Sequence, residues 1–99
     1  MSTSKEAPRV LDREEERQQL IEELVADQGS EWAERHKPGS FGCHELLDRT
    51  ALVVDILERY LLRHPACAQN KEWFELAEQA ASALHALYQR IGEAHLTED

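Results

Sequence analysis

Positive charge is scarce in this chain. Eleven lysines and arginines stand against twenty aspartates and glutamates, for a formal net charge of -9 over 99 residues. A DNA or RNA binder needs a basic face to displace phosphate counterions, and none is present, so nucleic acid is excluded as a partner. Anionic membrane surfaces are disfavoured for the same reason. Long apolar runs are also lacking. The stretch from Met1 to Arg9 holds Ser, Thr, Lys, Glu and Pro, with the character of neither a secretory signal nor a membrane span. A cytoplasmic setting is expected, and there the chain's two cysteines are reduced thiols. Glycine-rich phosphate loops are missing as well. Pro38-Gly39-Ser40-Phe41-Gly42 has no Walker lysine and no preceding strand, so it predicts a turn, with Phe41 folded over the end of a helix bundle.

What the chain does have is two clean four-three apolar repeats. One runs Cys43, Leu47, Thr50, Val54, Leu57, Leu61, His64; the other runs Trp73, Ala77, Ala80, Leu84, Leu87, Ile91, Ala94. Steps of four and three place each set on one side of an α-helix, in a seam that packs against other helices. Ser40 is positioned to cap a helix from about Gly42 to Arg63. His64-Pro65 ends it, because proline disfavours helical geometry in the residue before it. Asn70 is positioned to cap a helix from about Lys71 to His95.

Upstream, Asp12 followed by Glu15 has the spacing of a capping box, and Glu14, Glu15 and Glu16 suit a helix N-terminus. This first helix offers only Leu20, Ile21, Leu24, Val25 and Ala26, then Trp32 and Ala33, as apolar surface. Gly29 is a candidate break, with Ser30 capping the second piece, and Lys37-Pro38-Gly39-Ser40 is a strong stop. Residues 1–10 are expected to be a disordered leader and residues 11–96 a single helical domain. The fold expected is all-α: an up-down-up three-helix bundle with short connections. The apolar arc of the last helix is wider than its main seam, with Phe74, Ala81, Tyr88 and Gly92 adjoining it and Leu76 and Ala83 on the other flank. The first helix is poor in apolar residues, so a homodimer is the natural completion of the core.

Chemistry-bearing residues are few. Cys43, His44, His64 and Cys67 have the composition of a zinc set, but about 20 helical residues at 1.5 Å each part the two cysteines by ~30 Å. One ion cannot bridge that span, and neither can a disulfide. The up-down-up topology gathers a different group at one pole: His36, Cys43, His44 and His95, near Glu45 and Glu93. These are transition-metal ligand types, although their spacing matches no known motif. Cys43 lies in a first helical turn, where a thiol pKa falls, yet it continues the apolar seam and is expected to be a buried, inert residue. His44, Asp48, Asp55 and Glu58 share a flank. His44-Glu45-Leu46-Leu47-Asp48 is not the zinc-protease signature, and the pairs Glu45–Arg49 and Asp55–Arg59 predict a salt-bridged surface. No nucleophile, base and orienting group assemble, so no catalytic residue and no cofactor are assigned. The expected function is a small acidic interaction module that binds a protein partner or itself. The alternative is a metal- or small-ligand-binding bundle built on the polar histidine cluster.

Overall fold

A computed structural model describes residues 12–97, and all regular structure among them is helical. The leader expected over residues 1–10 lies outside the described residues. The chain divides into two compact units, one reaching to Glu34 and one beginning at Arg35.

The first unit is dominated by α1, Arg13–Gln28. Asp12 caps it by accepting the Glu14 N–H at 3.0 Å, satisfying one of the amides that a helix start leaves unpaired. Gly29 closes the helix, with its N–H on the Val25 carbonyl at 2.9 Å and a φ of +91° that favours glycine. The chain then re-enters a helix through a turn in which Trp32 N–H donates to the Gly29 carbonyl at 3.2 Å. The break at Gly29 is as expected. The second piece is a 3-10 helix, Trp32–His36, and Ser30 lies in the turn before it. No residue of α1 is buried.

The second unit is a helical hairpin. Its first arm is α2, Phe41–Ile56, continued by a π-helical turn, Leu57–Leu61. Ser40 Oγ accepts the Cys43 N–H at 3.1 Å, the cap foreseen from sequence. A short helix α3, Pro65–Gln69, turns the corner, with His64 Nδ1 accepting the Ala66 N–H at 3.0 Å. The return arm is α4, Lys71–Thr97, capped by Asn70 Oδ1 on the Trp73 N–H at 3.0 Å.

The core of the hairpin is thin. Cys43, Leu47, Thr50, Val54 and Leu57 from the first arm and Ala81 from α4 are buried, and among the described residues no large side chain is completely enclosed. The Thr50 hydroxyl is satisfied within its own helix, donating to the Leu46 carbonyl at 2.8 Å. Three expectations are corrected here. The first seam does not reach Leu61, because the π turn adds a residue. Leu62 N–H bonds to the Leu57 carbonyl at 3.1 Å, Leu62 takes the half-buried position, and Leu61 is 49% exposed. On α4 the packed face is rotated by roughly 60° from the expected seam. Phe74, Ala77, Ala81, Leu84, Ile91 and Gly92 turn toward the partner arm, whereas Trp73, Ala80 and Leu87 are exposed. Ala81 and Gly92 are the small residues across which α2 comes close, and the Leu47 Cδ1 atom sits 3.9 Å from where a Gly92 Cβ would be. Finally, Phe41 is 76% exposed instead of covering a bundle end. It precedes inward-facing Cys43 by two residues, about 200° around the helix.

Candidate functional site

The antiparallel course of the hairpin brings the start of α2 to the end of α4. There His95 Nδ1 accepts the Gly39 N–H at 2.9 Å, with Gly39 in the left-handed region at φ +90°. A ring nitrogen that accepts carries no proton, so neutral His95 holds its proton on Nε2. The His44 ring lies 5.5 Å from that of His95, tilted by 39°, and its Nε2 is 3.5 Å from Asp48 Oδ2. His36, at the end of the 3-10 helix, lies against Gly42 of α2. A Cβ on Gly42 would collide with its Nδ1 and with the Arg35 carbonyl oxygen, so α2 starts with glycine where the incoming backbone passes.

Of the four residues expected at this pole, the structure thus brings His44 and His95 together and sets His36 against Gly42. Cys43 is turned into the core. Among the described residues no group of three or more His, Cys, Asp or Glu side chains is placed to hold a metal ion. His64 and Cys67 lie at the opposite end of the hairpin from Cys43, and both cysteines are free.

A second polar contact joins the arms farther along. His85 Nε2 of α4 meets Glu58 Oε2 of the π turn at 2.9 Å. Beside it Ala51, Val54, His85 and Tyr88 line a shallow, mostly apolar recess. Asp55 and Arg59 form the ion pair foreseen from sequence, at 3.2 Å. No ion pair joins Glu45 and Arg49 among the described residues.

The opposite face of the hairpin is apolar. At about 100° per residue, Leu46 and Val53 lie some 60–80° to one side of the buried line of α2, with Ile56 at the outer edge. On α4, Trp73, Leu76, Ala80, Ala83 and Leu87 lie some 50–130° to the same rotational side of its buried line. The arms run antiparallel, so rotation of one sign on both leads to one face. Leu46, Val53, Trp73, Leu76 and Leu87 are each 44–56% exposed. Together they form a half-exposed apolar patch along both arms. The width of the α4 arc was its sequence signal. The α2 share was hidden, because Leu46 and Val53 sit outside the four-three repeat.

No protein-family model, curated protein or solved structure matches this chain. Among the described residues no helix is long and apolar enough to cross a membrane.

Proposed function

We propose that this chain is a protein–protein interaction module that binds through the apolar face of its α2–α4 hairpin and assigns no side chain to catalysis. The observation that carries the proposal is the exposure of Trp73, Leu76 and Leu87 along one side of α4, beside Leu46 and Val53 of α2. Leaving large apolar side chains half in water forfeits roughly 1 kcal/mol each, a loss that a bound surface recovers. In this reading α1, α2 and α4 form an up-down-up three-helix bundle, and a homodimer completes it. The two free thiols suit a reducing compartment such as the cytoplasm. The net charge of -9 favours a partner whose rim is basic wherever the partner is another protein.

The test is capture with paired baits. Wild-type chain and the Leu76→Glu variant are immobilised and exposed to lysate of the source cell and to untagged copies of the chain. The reading expects a bound protein, foreign or identical, that the variant loses. Equal binding by both baits, or no binding by either, overturns it. Circular dichroism of the variant separates lost binding from lost folding; position 76 is exposed, and its substitution is expected to leave the helices intact.

A further inference from the structure

The α4 stripe is nearly its own mirror. Reading inward from both ends, Leu76 answers Leu87 and Ala80 answers Ala83, with Glu72 near one end and Arg90 near the other. Glu72 and Arg90 are 18 residues apart, five full turns, so they occupy the same edge of the helix. Both are exposed, and neither forms an ion pair among the described residues. Between Trp73 and Ala94 the stripe itself carries no acidic residue, in a chain with twenty of them.

Resting on the interaction-module reading, we propose that the occupant of this stripe is a second copy of the chain, α4 packing antiparallel on its mate about a two-fold axis midway between Ala80 and Ala83. That axis sets Leu76 level with Leu87 of the second copy and Ala80 level with Ala83. In antiparallel helices like edges meet, so Glu72 of each copy falls within one residue's rise, about 1.5 Å, of Arg90 of the other. Opposite charges then face each other twice, and the arrangement closes on itself as an isologous interface does. The two alanines at the centre let the helix axes approach to about 8 Å, the close end of helix packing. The first helix offers a shorter apolar length than the stripe. The apolar residues Leu20 to Val25 of α1 span only about 8 Å of helix axis, against about 21 Å from Trp73 to Leu87.

The experiment measures mass and dissociation constant by sedimentation, with folding followed by circular dichroism. Wild-type protein is expected to be a dimer and Ala83→Glu a folded monomer. Glu72→Arg and Arg90→Glu are each expected to weaken the dimer roughly tenfold, because each creates two like-charge pairs, and the double swap restores wild-type affinity to within about threefold. A wild-type chain that stays monomeric at millimolar concentration overturns the proposal, even where capture of a foreign protein by the Leu76-dependent face leaves the broader reading standing. A dimer indifferent to all three substitutions overturns the interface. So does Ala83→Glu protein of unchanged mass and lowered melting temperature, which assigns the stripe to the chain's own first helix.

Discussion

Two glycines in the hairpin have opposite tolerances, and the difference lies in what a methyl group would touch. At Gly42 a Cβ collides with a backbone carbonyl and the His36 ring; at Gly92 the nearest atom is a Leu47 methyl at ordinary contact distance. Gly42→Ala is expected to cost about 1–3 kcal/mol, the usual penalty of overpacking. Gly92→Ala is expected to stabilise by up to ~1 kcal/mol, because alanine removes glycine's entropic cost within a helix. Thermal melts check both: the first variant melts lower than wild type and the second higher. From sequence, both positions were merely glycines near helix seams. Only the approach of the Arg35–His36 backbone separates them, and that contact joins residues whose proximity no spacing rule encodes.

Among the elements, helix starts were the most legible feature. Ser40 and Asn70 cap their helices as their positions before amphipathic runs suggest, since a cap depends on residues within three positions of itself. Ser40→Ala and Asn70→Ala are each expected to cost about 1 kcal/mol in urea denaturation, and to add in the double variant because they serve different helices. The first turn of α1 carries a pH signature. Arg17 grips Glu14 through two 2.9 Å hydrogen bonds and Gln18 adds a third at 2.8 Å, holding the Glu14 carboxyl down to about 2. A carboxylate whose pKa is lower folded than unfolded favours the folded helix above its unfolded value, near 4.5, and loses that advantage as pH falls toward 2. Carbon-detected NMR titration is expected to show the Glu14 midpoint near 2 in the wild type. In Arg17→Ala it moves up toward 4.5. Less legible was the π turn at Leu57–Leu61. Its residues are good helix formers, and nothing local marks the extra residue that rotates Leu61 out of the seam and Leu62 into it.

At the scale of the whole molecule, the amphipathic repeats required helices that share an interior. The histidine pole was legible in part. Topology brings His44 beside His95, yet the Gly39 N–H that occupies His95 Nδ1 comes from a turn whose geometry is invisible until α4 returns to it. If the α4 stripe joins two copies, the melting temperature rises with protein concentration, as it does when folding and association are linked. Leu87→Glu is expected to abolish that dependence while leaving a cooperative melt.

Helix positions, their caps and the breaks at Gly29 and Pro65 were decided by residues close in sequence, because backbone hydrogen bonds in a helix reach only four residues along the chain. Which stripe of α4 went inside was not decided there. Its apolar arc is too wide to name one inward face, and the choice fell to Ala81 and Gly92, whose lack of bulk lets α2 approach. That rotation of roughly 60° left Trp73, Ala80 and Leu87 on the surface, and the surface they form is where the proposed function resides.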